Sequence, residues 1–166
     1  MLSDSRHVKD LWVINSLANP RPTLETYKYQ MPGEKENPIA HLYLFDTESG
    51  KRKEINTSAF KDQTLDVNTA ERNPGDASLG YRSSVWTGDN QRFYVTRTSR
   101  DLKRIDICSY TIGQDTLVPV IEERLNTYID VLNIVSPNQG KEIVHWSERD
   151  GWGHLYLYGE DGKLKN

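Results

Sequence analysis

The chain has 166 residues, 21 basic and 24 acidic, with a net charge of −3 and a mean hydropathy of −0.74. That balance gives no general attraction to nucleic acid or to an anionic membrane surface. A hydrophobic fraction of 36% is low for a domain that must build its core alone, and no apolar run reaches bilayer length. Met1 to Arg6 is too polar for a signal peptide and reads as a cut inside a longer sequence. Cys108 is the only cysteine, which excludes an internal disulfide and a cysteine-rich zinc site and predicts a buried thiol at a strand end.

In chain order, Leu11 to Ile14 is an apolar run suited to one strand, and Asn19-Pro20-Arg21-Pro22 then interrupts pairing because proline lacks an amide proton. Thr23 to Tyr29 alternates with period two and predicts a half-exposed strand, ended by Met31-Pro32-Gly33 and Asn37-Pro38. Ile39 to Phe45 and Lys51 to Ile55 predict a hairpin. From Asn68 to Gly80 the residues are polar turn formers, and a loop is predicted. Ser83 to Thr87, Arg92 to Arg97, Ile105 to Tyr110 and Thr116 to Ile121 read as four successive strands, the first turn being Gly88-Asp89-Asn90. The stretch from Val120 to Leu132 carries β-favouring Thr127, Tyr128, Ile129 and Val131 and reads as strand or loop rather than helix. Asp130 to Val135 predicts a strand, Ser136 to Gly140 a turn, and Glu142 to Trp146 with His154 to Tyr158 a last hairpin.

One pattern recurs three times: His41-Leu42-Tyr43-Leu44-Phe45-Asp46, Arg104-Ile105-Asp106-Ile107-Cys108 and His154-Leu155-Tyr156-Leu157-Tyr158 each precede a turn rich in Gly, Asp or Glu. The last two copies also share an upstream partner, Val95 to Asp101 against Val144 to Asp150. A spacing of about fifty residues suits the blades of a β-propeller. The expected fold is all-β, a partial propeller of about two to three four-stranded antiparallel blades.

Few residues carry a chemical signature. Gly75-Asp76-Ala77-Ser78-Leu79-Gly80 approaches a nucleophile elbow, but its first spacing is one residue too long and no helix follows, so a surface loop is the preferred reading of Ser78. His145 and His154 fall nearly opposite one another across a hairpin turning at Asp150-Gly151. Two imidazoles without a carboxylate or thiolate make no closed zinc site, and cross-strand packing is preferred. Arg97, Arg100, Lys103 and Arg104 lie beside Asp101 and Asp106. A contact to a peptide carboxylate or a nucleic acid is one reading, and the mixed signs favour a salt-bridged strand edge. Arg149-Asp150 reads as a device fixing its turn, and Trp12, Trp86, Trp146, Trp152, Tyr156 and Tyr158 as rings filling the space between blades.

Trp146-Ser147-Glu148-Arg149-Asp150-Gly151-Trp152-Gly153-His154-Leu155-Tyr156 resembles the blade sequence of the N-terminal propeller of dipeptidyl peptidase IV family enzymes. Tyr29-Gln30-Met31-Pro32-Gly33-Glu34-Lys35-Glu36-Asn37-Pro38 is similar to a second landmark of that family, with Gln30 and Met31 standing between Tyr29 and Pro32. The likeness runs over nearly the whole chain, is nearest to bacterial members, and implies that residues 1–166 are one fragment of that propeller domain. It implies an eight-bladed propeller over an α/β-hydrolase domain, together a serine exopeptidase that removes Xaa-Pro or Xaa-Ala dipeptides from peptide N-termini. The family's paired glutamates would precede Met1, and Glu122-Glu123 stands in the wrong place to be that pair. The catalytic serine, aspartate and histidine would belong to the later domain, leaving this chain without a catalytic residue and with no metal or cofactor.

The family's aromatic and basic pair on a pocket-lining loop follows a Trp that corresponds here to Tyr128, and counting forward lands on Leu132 and Asn133, neither aromatic nor basic. Tyr128, Leu132 and Asn133 therefore mark the expected substrate-pocket region. The resemblance implies as partners a C-terminal hydrolase domain of the parent chain and a peptide substrate, with no nucleic acid and no membrane insertion. It also implies an exported parent, periplasmic or cell-surface. Truncated blades predict self-association through exposed faces. The competing reading is a free-standing propeller-like module that binds proteins or glycans through loops such as 68–80.

Overall fold

The computed structural model describes residues 1–60, 62–69 and 84–166. Eleven strands follow in order: β1 (Leu2–Asp4), β2 (Asp10–Asn15), β3 (Thr23–Lys28), β4 (Ile39–Phe45), β5 (Arg52–Ile55), β6 (Thr64–Val67), β7 (Arg92–Thr98), β8 (Arg104–Thr111), β9 (Val118–Arg124), β10 (Glu142–Ser147) and β11 (His154–Gly159). Every strand pairing between them is antiparallel. They form sheets in the orders β1-β4-β5, β2-β3, β6-β7-β8-β9 and β10-β11.

The four-stranded sheet is the complete blade, and its sequence explains why it sits between neighbours. β7 is buried at six consecutive positions, so it has no solvent face and cannot show the polar alternation of a half-exposed strand. Side chains of opposite parity enter two cores. Phe93, Val95, Cys108 and Tyr110 join Leu42, Ile55, Leu65 and Leu117, with Trp86 packed against them. Tyr94, Ile105, Ile107 and Ile121 join Ile129, Ile134, Ile143 and Tyr158. Each core is thus shared between this sheet and one neighbour, which is sheet-on-sheet packing repeated on both sides. Burying a side chain of this size contributes about 1.5–3 kcal/mol, so these two interfaces dominate the stability of the stack.

The first and last of the repeated hairpins, β4-β5 and β10-β11, form where the sequence predicts them, with Leu42 opposite Ile55 and Ile143 opposite Tyr158. Three assignments need correction. Of the strand expected over Ser83 to Thr87, residues 84–87 are described and form no strand. The Trp86 amide donates to Ser84 Oγ (3.1 Å) and the Thr87 amide to the Arg92 carbonyl (2.8 Å), so a local turn satisfies the backbone. The first strand of the blade is β6 instead, paired Val67 to Val95. The strand expected over Asp130 to Val135 reduces to one bridge, Val135 to Val144, because Ile129 and Ile134 turn inward and anchor the segment as a loop. β1, absent from the sequence reading, adds to β4 with Leu2 opposite His41.

The loop expected over 68–80 falls largely outside the described residues, as does Ser78. Only one complete blade stands among the described residues, flanked by a three-stranded sheet and a two-stranded one. Of the aromatic series, Tyr158 is buried, but Trp12 and Trp152 are 69% and 78% exposed and fill no space between blades. Trp12 lies on the β2-β3 hairpin, which among the described residues pairs with no other sheet, and Trp152 on the turn after β10.

Candidate functional site

The β7-β8 turn and the segment after β9 meet at one end of the complete blade. Leu125 donates its amide to the Lys103 carbonyl (3.1 Å) and Ile129 to that of Leu102 (2.8 Å). Ile129 and Ile134 are 3% and 5% exposed, whereas Tyr128 and Leu132 are 62% and 47% exposed, and Asn133 is exposed as well. Buried Ile129 and Ile134, with half-buried Val131 packed on the same core, therefore anchor a short loop over 128–134 on which Tyr128, Leu132 and Asn133 face solvent. All three residues expected to mark a substrate pocket lie on this loop. The three offer a phenol, an alkyl chain and an amide, which suit contact and hydrogen bonding with a ligand.

Beside it, Arg97 and Asp106 form a buried ion pair between the two central strands β7 and β8, so the salt bridge expected at a strand edge lies inside the blade. Arg97 donates from Nε and Nη2 to Asp106 Oδ2 (3.2 and 2.8 Å) and from Nη1 to the Thr57 carbonyl (3.3 Å). Arg124 donates from Nη2 to Asp106 Oδ1 at 2.5 Å. Burial by itself raises a carboxyl pKa, but the bonds from Arg97 and Arg124 outweigh it and hold that of Asp106 below its ordinary value. All of the charge-assisted bonding of Arg97 is consumed here, so it is structural.

The other cations of that cluster are placed differently. Arg100, Lys103 and Arg104 line an open recess of about 540 Å³ with Phe60, Asp62, Ser99 and Asp101. Arg104 lies 4.4 Å over the Phe60 ring and reaches Asp106 and Glu122 only at 3.5 and 3.7 Å. Asp101 is spent on its own turn, accepting from Ser99 Oγ (2.6 Å) and the Lys103 amide (3.2 Å).

A second buried network, missed from the sequence, joins β9 to β10. Glu123 Oε2 accepts from His145 Nε2 (2.7 Å) and Oε1 accepts from Ser147 Oγ (2.6 Å), with Arg149 Nη2 3.6 Å away. Desolvation pushes the Glu123 carboxyl up, yet the bonds from His145 and Ser147 and the Arg149 charge bring it below its ordinary value. This is no catalytic triad, because Ser147 bonds the carboxylate rather than the imidazole that would have to take its proton. The available signal was parity: Glu123 is two residues from the inward Ile121 and so faces the same core. His145 lies opposite Tyr156 in the ladder, and His154 opposite Ser147, so the two histidines do not face each other as the sequence suggested. Among the described residues no cluster of three or more His, Cys, Asp or Glu side chains could hold a metal.

Known structures share this stack of sheets. A protein assigned as dipeptidyl aminopeptidase IV from Bacteroides ovatus matches with a TM-score of 0.70 at 20% identity, over 96% of this chain and 20% of its own. Porphyromonas gingivalis dipeptidyl peptidase 4 matches with a TM-score of 0.78 at 19% identity, over 99% of this chain and 21% of its own. The chain spans about a fifth of the length of these solved structures, and at this identity they establish the fold, an all-β partial propeller. The model of the dipeptidyl peptidase IV (DPP IV) N-terminal region matches residues 2–166. With blades, repeats and the Tyr29 to Pro38 landmark in agreement, the chain belongs to the dipeptidyl peptidase IV N-terminal region family.

Proposed function

We propose that residues 1–166 are a noncatalytic section of the propeller of a serine exopeptidase that removes Xaa-Pro and Xaa-Ala dipeptides from peptide N-termini. In this reading the propeller admits extended peptides and excludes folded ones, and the loop bearing Tyr128, Leu132 and Asn133 forms part of a substrate wall facing a C-terminal α/β-hydrolase domain. The observation that carries the reading is the family match over residues 2–166, joined to a loop anchored by two buried isoleucines on which Tyr128, Leu132 and Asn133 are exposed. Anchored loops on a rigid scaffold are the usual carriers of binding contacts.

The chain alone is expected to leave a Gly-Pro chromogenic substrate uncleaved, and turnover that persists through repurification defeats the noncatalytic assignment. In the peptidase that contains this segment, Tyr128→Ala together with Leu132→Ala is expected to change KM for peptide substrates more than kcat. Unchanged kinetics on every peptide length tested refute the wall role. The isolated chain is also expected to self-associate through its incomplete outer sheets, where Leu155 on β11 is 69% exposed. A monodisperse monomer in light scattering at high concentration contradicts that expectation.

A further inference from the structure

We propose that the recess between the β7-β8 turn and Phe60 is a binding site for a single carboxylate group presented by a peptide. Among the described residues its lining holds three cations, Arg100, Lys103 and Arg104, against two carboxylates, Asp62 and Asp101, a net charge of +1. Among the described residues Arg100 meets one polar partner, the neutral Asn37 side-chain carbonyl at 2.9 Å. Lys103 makes no ion pair among the described residues. Arg104 is the outermost of three arginines around Asp106, whose short bonds go to Arg97 and Arg124. Its Nε is buried without an acceptor among the described residues. Arg100 and Lys103 are therefore not consumed by ion pairs among the described residues, in contrast to Arg97, while Arg104 is shared with Asp106 and Glu122 at 3.5 and 3.7 Å.

The chemistry of the lining selects the ligand. Two resident carboxylates disfavour a phosphate dianion or a polyanionic backbone, whereas an excess of one positive charge suits a monoanion. The Phe60 ring is covered by the Arg104 guanidinium at 4.4 Å, which removes the open face a nucleobase would stack on. The exposed heads of Arg100 and Lys103 are the donors available to a carboxylate, and charge-assisted bonds of that kind are the strong ones. The recess also adjoins the loop of Tyr128 through the Leu125 and Ile129 amide bonds, so a peptide lying along that loop reaches it. The inference stands on the lining alone and does not require the exopeptidase reading.

The test titrates the chain with two peptides of the same length by calorimetry at low salt. One is acetylated and amidated with a central Glu, and the other is neutral apart from a free C-terminal carboxylate. Saturable binding of either peptide is expected, weakening as salt rises, and which of the two binds identifies the carboxylate as side-chain or terminal. Arg100→Gln with Lys103→Gln is expected to weaken it about tenfold or more, while Lys51→Gln on the distant β4-β5 turn leaves it unchanged. Both substituted positions are exposed, and circular dichroism of the double variant confirms folding. No saturable binding of either peptide, or equal binding by the double variant, overturns the proposal. Neither result bears on whether the chain lacks peptidase activity.

Discussion

Asp106→Asn is the most informative single change, because it leaves shape intact and removes one charge at the centre of the complete blade. Asp106 is fully buried and Arg97 is 4% exposed. Without the carboxylate, Arg124 and Arg104 still reach Glu122 at 2.8 and 3.7 Å and keep over a third of their side chains in water. Arg97 has no such alternative, since its remaining partner is the neutral Thr57 carbonyl at 3.3 Å. Stranding one buried charge of this kind costs about 3–5 kcal/mol, a large part of the roughly 5–15 kcal/mol that holds a domain folded. With a urea dependence of about 2 kcal/mol per molar, the midpoint falls by roughly 1.5–2.5 M. Tryptophan fluorescence during urea unfolding reads this directly. Arg97→Met combined with Asp106→Leu is expected to be less damaging than Asp106→Asn alone, because no unpaired charge remains in the core. A midpoint for Asp106→Asn within about 0.5 M of the wild-type value, or a double variant worse than the single, refutes the reasoning.

Further outcomes follow from the same geometry. Glu123 and Asp106 have folded-state pKa values below their ordinary values of 4.5 and 3.8, so their stabilisation is complete above about pH 5 and is lost as pH falls through the folded values. Urea midpoints measured from pH 7 to pH 3 are expected to decline, and Glu123→Gln to decline less steeply from a lower start. Cys108 is buried, and desolvation pushes its thiol up to about 11. A disulfide reagent at pH 8 is expected to label it only after unfolding, and rapid labelling of the folded chain contradicts its placement. Gly162 has φ +77°, and a Cβ there would lie 1.9 Å from the Val120 carbonyl. Gly162→Ala is expected to lower the melting temperature by several degrees, consistent with a cost of about 1–3 kcal/mol, and an unchanged melt shows that the turn moves freely away from β9.

The strands that the sequence reveals are those whose pattern is local. β4, β10 and β11 lie in a repeated hairpin with turn residues attached, and β2 and β3 are bounded by Asn-Pro and Pro-Gly breaks. β6 shows no such signal, because the four residues Thr-Leu-Asp-Val are too short a run to stand out and 24 residues separate them from their partner β7. The segment at Ser84 to Thr87 carries strand-favouring types yet forms a turn, since Trp86 packs edge-on against Phe93 at 5.2 Å. Tertiary contact overrides propensity there. The loop of Tyr128, Leu132 and Asn133 was located by analogy and spacing, but its shape rests on Ile129 and Ile134 entering a core whose other members come from β7, β8, β9, β10 and β11.

The amino-acid sequence by itself determined that this is an all-β chain of repeated hairpins, because turn chemistry and period-two alternation act between residues close along the chain. It determined the family for the same reason, through short runs such as Trp146 to Tyr156. Only the tertiary structure decided which charges are consumed and which are free. Arg97 and Arg100 are three residues apart, yet the first is locked to Asp106 and the second faces an open recess. Burial and partner distance set that difference, and both depend on sheets brought together from distant parts of the chain.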